Sequence, residues 1–104
     1  MQGHTSWAYV TAHNPRSVPL PSEENRARHR RLEAEVRARG FAAFVGQSVG
    51  DDGTWPPETS LLILGISRSE AVALGFTHGQ RAVVWGALGE PARLLFCPES
   101  PAVP

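Results

Sequence analysis

The residues best suited to chemistry gather in a few short stretches. Thr11-Ala12-His13-Asn14-Pro15-Arg16-Ser17 puts two hydroxyls, an imidazole, an amide and a guanidinium into one polar run, and Asn25 follows at the start of a helical pattern. Ser67 and Arg68 open a second helical pattern, Gln80 opens a strand, and Trp55 stands in a Pro-rich loop. Such a set is suited to binding. Amide, hydroxyl and guanidinium groups beside a helix N-terminus favour an anion, because the first backbone N–H groups of a helix are unpaired and its dipole is positive there. An indole can stack on a flat ring such as a nucleobase, although packing over a sheet edge is its commoner use. The set is poorly suited to catalysis. No Ser or Cys sits in a nucleophile elbow or beside an evident His. Asp51 and Asp52 precede Gly53 as turn residues rather than as an acid–base pair, and His4, His13, His29 and His78 lack the spacing of zinc ligands. No metal or cofactor is implied.

The elements that must position these residues follow from periodicity. Trp7 to Ala12 reads as a strand rich in aromatic and β-branched residues, ended by Asn14-Pro15. Pro15, Pro19 and Pro21 hold the connector extended. A helix is predicted from about Glu23 to Arg39, with Ser22 as N-cap, Glu23 and Glu24 in its positive first turn, and Gly40 as its stop. Leu32 and Val36 mark its buried stripe, which runs back through His29 or Arg28 to Asn25, so Asn25 should face inward. Glu24 with Arg28, Glu33 with Arg37 and Glu35 with Arg39 are spaced as acid-first ion pairs, each worth roughly 0.2 to 0.5 kcal/mol.

Phe41 to Val49 reads as a second strand, and Gly50 to Gly53 as a turn before the rigid loop Thr54 to Glu58. Leu61 to Ile66, the most continuous apolar run, is the best candidate for a central strand buried on both faces. Ser67-Arg68-Ser69-Glu70 is a capping box for a short helix to about Phe76. Strands from Arg81 to Gly86 and from Ala92 to Cys97 form a hairpin, with Trp85 in the core or in a strand-pairing contact. The Pro-rich tail from 98 to 104 is expected to fray.

This order predicts an α+β two-layer sandwich, close to a ferredoxin-like split βαβ arrangement, with about five strands and two helices on one face. A single domain is expected over residues 1–104, with its core in about 7–97. If the first strand and Leu61 to Ile66 are a parallel central pair, both helix N-termini share one rim. Thr11, Asn14, Arg16, Ser17, Asn25, Trp55, Ser67, Arg68 and Gln80 would then form one anion-binding site. The competing reading is structural: Asn14 and Ser17 close a turn, Asn25 bonds the backbone of that turn, Gln80 satisfies loop backbone, and Ser67 only caps.

Composition bounds the partners. A chain of 104 residues with zero formal net charge has no global field to draw it to nucleic acid or to an anionic membrane. Every one of its 10 basic residues is Arg, which points to a GC-rich genome. The single Cys97 excludes an internal disulfide and fits a reducing cytoplasm, where the expected role is that of a small apolar filler. No export signal or apolar run of membrane-spanning length is read from the sequence.

Thr11-Ala12-His13-Asn14-Pro15-Arg16-Ser17 and the following Asn25, Asp52-Gly53-Thr54-Trp55-Pro56, Ser60, and Gly79-Gln80-Arg81-Ala82-Val83 together resemble the small bacterial family called domain of unknown function 3293. The resemblance runs from about Trp7 to Val84. It implies that Asn14, Pro15, Ser17, Asn25, Trp55 and Gln80 belong together, and it implies no activity, substrate or cofactor. Pro57 departs from it, where an acidic residue beside Glu58 would be expected. The favoured expectation is a binding module for a small anionic or nucleotide-like ligand. The alternatives are a protein-interaction module, such as a homodimer, that pairs the edge of its terminal hairpin or docks its rim onto a macromolecule, and a small hydrolase or transferase that would need a base the sequence does not offer.

Overall fold

Residues 22–38 contain no Gly or Pro and repeat buried positions at helical spacing, so they form a helix; the runs on either side alternate or are β-branched, so they form strands. The computed structural model describes residues 5–13, 15, 18–48 and 58–98. In chain order these give β1 (Ser6–Thr11), α1 (Ser22–Ala38), β2 (Ala42–Ser48), β3 (Glu58–Leu64), α2 (Arg68–Thr77), β4 (Ala82–Ala87) and β5 (Arg93–Phe96). The turn expected at Gly50 to Gly53, the loop at Thr54 to Pro57 and the last six positions of the tail lie outside the described residues.

The five strands form one antiparallel sheet in the order β2-β3-β1-β4-β5. β1 and β2, joined through α1, lie on either side of β3, while β3 and β4, joined through α2, lie on either side of β1. The parallel central pair expected from the sequence does not form. β1 runs antiparallel to β3, with Trp7 opposite Leu64 and Thr11 opposite Ser60. The reason is topological: the connection through α1 leaves β1 and β2 pointing the same way, and the chain then reverses into β3, which enters between them. The two helices therefore start at opposite ends of the sheet.

One face of the sheet carries the core. Ala8 and Val10 of β1, Ala43 of β2, Leu61 and Ile63 of β3 and Val83 of β4 are buried in one cluster with Leu32 and Val36 of α1 and Ala71 and Leu74 of α2. Fully burying a Leu or Ile side chain stabilises by about 1.5–3 kcal/mol, so Leu32, Leu61 and Ile63, each at 0% exposure, anchor the two layers. β3 is central, as its apolar run suggests, but it is not buried on both faces: Leu62 and Leu64 point away from the helices and are half-exposed. Cys97 is a buried filler, and burial pushes its thiol pKa up.

The helix ends follow local chemistry. α2 opens with the expected capping box: the Glu70 N–H donates to Ser67 Oγ at 3.1 Å and the Ser67 N–H donates to Glu70 Oε1 at 2.9 Å. That Ser67 backbone bond holds the Glu70 carboxyl below its usual value. α1 differs from expectation, because Pro21 occupies the N-cap and Ser22 is already helical. Proline's fixed φ of −57° with an extended ψ of 151° meets the N-cap geometry without a side-chain bond. Both helices end in Schellman turns around a glycine of positive φ. Gly40 and Phe41 bond back to Arg37 and Val36 after α1, and Gly79 and Gln80 bond back to Phe76 and Gly75 after α2.

Candidate functional site

The end of β1 is held by side chains that bond to backbone rather than to one another. Thr11 Oγ1 donates to the Thr59 carbonyl at 2.8 Å and accepts from the His13 N–H at 3.0 Å, which turns the chain out of the sheet. Arg28, one helical turn after Asn25, points inward. Its Nε donates to the Ala12 carbonyl at 2.8 Å and its Nη2 to the His78 carbonyl at 2.7 Å, so one guanidinium ties the end of β1 to the end of α2. Gln80 Nε2 repeats the link, donating to the carbonyls of His13 at 3.1 Å and His78 at 3.3 Å. Asn25, buried at the start of α1, donates from Nδ2 to the Leu20 carbonyl at 3.2 Å and fixes the entry to the helix.

The α2 Schellman turn makes this junction fit. Gly79, with φ of +77°, turns the chain so that the His78 carbonyl faces both Arg28 and Gln80. A Cβ at Gly79 would come within 2.7 Å of Pro15 Cβ and 3.1 Å of Arg28 Nη2. The buried His78 ring completes the junction, with Nε2 2.9 Å from Glu35 Oε1. That bond is the main reason the Glu35 carboxyl sits below its ordinary value.

Two imidazoles remain inside this frame. His13 and His29 meet edge to face with ring centroids 6.4 Å apart. His29 Nε2 lies 3.5 Å from Glu33 Oε1, while His29 Nδ1 and His13 Nε2 are buried and find no hydrogen-bond partner among the described residues. Burial pushes the His13 imidazole below its ordinary value, the Glu58 charge opposing this and His29 adding to it. Burial thus favours the neutral form of the His13 ring, which offers one donor and one acceptor to a polar group brought beside it. Among the described residues, no group of three or more His, Cys, Asp or Glu is placed to hold a metal ion.

Of the residues expected to form one rim, Thr11, Asn25 and Gln80 lie toward this end of the sheet, where each bonds to backbone. Ser67 and Arg68 do not join them. Because β3 runs antiparallel to β1, they lie at the opposite end, where Ser67 caps α2 and the Arg68 guanidinium stacks over Trp85, 5.2 Å from the ring centroid. Trp85 in turn donates from Nε1 to the Ile66 carbonyl at 2.9 Å. Asn14, Arg16, Ser17 and Trp55 lie outside the described residues. Sequence reasoning missed Arg28 and His78 as members of the junction. The expected Glu24–Arg28 pair is replaced by the two backbone bonds of Arg28, whereas Glu33–Arg37 and Glu35–Arg39 form at 2.8 Å. The signal for Arg28 was its place on the inward stripe, three residues after Asn25 and four before Leu32.

The fold and this pinned turn define a small α+β protein with a two-layer build and a polar junction at one end of its sheet. The chain belongs to the family described as protein of unknown function (DUF3293), whose model matches residues 10–83, a span that contains the whole junction. No curated protein matches the chain, and no solved structure does. No helix among the described residues is long and apolar enough to cross a membrane.

Proposed function

We propose that the protein is a binding module, rather than an enzyme, and that it takes a small anionic or nucleotide-like ligand at the end of β1. The observation that carries this reading is the pair of buried, unpartnered ring nitrogens, His13 Nε2 and His29 Nδ1. Buried polar atoms are nearly always satisfied in folded proteins, and each exception calls for an explanation, of which a bound ion or ligand is one. The surrounding frame supports the reading. Thr11 Oγ1 accepts from the His13 N–H while Arg28 and Gln80 donate to the Ala12 and His13 carbonyls, which fixes in advance the backbone that carries the ring and lowers the ordering cost of binding. Asn14, Arg16 and Ser17 follow His13 in the sequence and complete the proposed ligand set. Ser67 and Arg68 are left out of it.

Charge then has a stated source. The two hydrogen bonds of Arg28 go to carbonyls, so the positive charge offered to an anion comes from Arg16 of the proposed set and from His13, whose pKa burial depresses. An anion favours the imidazolium, so binding takes up a proton and tightens as the pH falls. The test is thermal unfolding with a panel of nucleotides and phosphorylated metabolites at pH 6 and pH 8. A ligand at ~100 times its dissociation constant stabilises by about 2.7 kcal/mol, a rise of more than ~10 °C in a domain of this size. The expected result is a shift in the wild type that is larger at pH 6 and absent in a folded His13→Phe variant. A panel that shifts neither wild type nor variant at either pH sinks the reading.

A further inference from the structure

The face of the sheet turned away from the helices is apolar, and among the described residues no helix covers it; its outer residues are open, whereas Ser60 at its β3 end is buried. Strand register places Phe44, Leu62, Tyr9, Val84 and Leu94 in one row across all five strands, with Leu64 and Trp7 in the row on one side and Phe96 beyond Leu94 on the other. Phe44 is 57% exposed, Leu94 58% and Phe96 75%. No described helix lies over these residues, because both helices contribute to the core on the opposite face. The two largest aromatics lie down on the sheet instead of standing off it. The Trp7 indole covers Gly86, where an added Cβ would fall 2.5 Å from the ring, and the Tyr9 hydroxyl sits over Gly46, 2.9 Å from where a Cβ would be. The result is a flat apolar face, kept level by glycines in β2 and β4.

We propose that this face is the interface of a symmetric homodimer, two copies of the chain stacking sheet on sheet. Its extent is sufficient. Five strands at ~4.8 Å spacing and about 20 Å long give a footprint of about 500 Å² on each copy. The pair thus buries about 1,000 Å² before side-chain relief is counted, which meets the lower threshold of about 1,000 Å² for a biological interface. Its chemistry is self-complementary. The only charged side chain that the register assigns to this face is Glu58, at the end of β3, and the chain's formal net charge is zero, so a second copy meets no repulsion. A flat face suits another sheet at ~10 Å packing distance, whereas a helical peptide needs a groove. Two-fold symmetry makes the match isologous: each row meets its own copy.

The test is the concentration dependence of mass for the full chain by sedimentation velocity, with Phe44→Glu, Leu94→Glu and Leu88→Glu variants. Phe44 and Leu94 stand at opposite sides of the face and are already more than half exposed, so neither substitution removes core packing. Leu88, 79% exposed, lies in the β4–β5 turn off the face and serves as control. The wild type and Leu88→Glu are expected to dimerise alike. Each face variant, present twice in a symmetric interface, is expected to weaken the dimer about 100-fold or more. A wild type that stays monomeric at several hundred micromolar overturns the proposal. So does a dimer broken by Leu94→Glu but not by Phe44→Glu, which would place the contact at the free edge of β5.

Discussion

Removing the Arg28 side chain should loosen the whole junction. Its guanidinium donates two bonds, 2.8 Å to the Ala12 carbonyl and 2.7 Å to the His78 carbonyl, and Ala12 is fully buried. A hydrogen bond from a charged donor is worth about 1.5–3 kcal/mol, and truncation leaves its acceptor unpaired. Two such bonds give a gross loss of about 3–6 kcal/mol. Part of that is returned, because burial already disfavours the charged guanidinium and lowers its pKa, with Arg31 adding to the effect. The net expectation for Arg28→Ala is a loss of about 2–4 kcal/mol, seen as a fall of roughly 10–20 °C in a chain of this length. Arg28→Lys can reach one carbonyl at a time and should lose about half as much. Arg31→Ala, exposed on the same helix, should stay within about 0.5 kcal/mol of wild type. Urea unfolding followed by circular dichroism separates these cases. An Arg28→Ala variant as stable as Arg31→Ala would show that the two bonds contribute nothing and that the junction is held by packing alone.

Two further outcomes follow from the same geometry. Gly40 and Gly79 both have positive φ, but a Cβ at Gly40 meets nothing within 4 Å whereas one at Gly79 strikes Pro15 and Arg28. Gly40→Ala should cost about 1 kcal/mol and Gly79→Ala clearly more, roughly 2–3 kcal/mol, in thermal unfolding; equal costs would remove the steric argument. Stability should also fall with pH in two stages. His13 and Glu35 both have folded pKa values below their ordinary ones, so each contributes stability above its unfolded value that acid removes, His13 from about 6.5 downward and Glu35 from about 4.5 downward. His13→Phe should abolish the upper stage and Glu35→Gln the lower, and a midpoint that is flat from pH 7 to pH 5 would count against the burial of His13.

What could be read from the sequence was local. The capping box at Ser67 and Glu70, the glycine stop at Gly40 and the inward Asn25 depend on residues a few positions apart, and the sequence states those spacings directly. Strand direction is different. Nothing in Trp7 to Ala12 or in Leu61 to Ile66 says which way the two runs lie, and one wrong choice moved Ser67 and Arg68 from one end of the sheet to the other. The open second face was likewise hidden. An unbroken apolar run looks the same whether both of its sides are covered or one is left bare, and Leu62 and Leu64 are half-exposed where burial was expected. Arg28 was misread because a charged residue with an acid four positions earlier looks like a surface pair.

The place of β1 in the middle of the sheet has a consequence for how the chain assembles. β2 can close on β3, and β4 on β5, as soon as each pair is made, since those partners are near in sequence. β1, the first strand made, bonds only to β3 and β4, whose residues arrive most of the chain later. It waits unpaired until β3 is made, keeps one edge open until β4 follows, and closes the longest loops in the sheet, an order of events that slows folding. During that interval Trp7, Tyr9 and Val10 are an exposed β-forming segment, and a chain stopped before β4 would keep one edge of its first strand open to any neighbour.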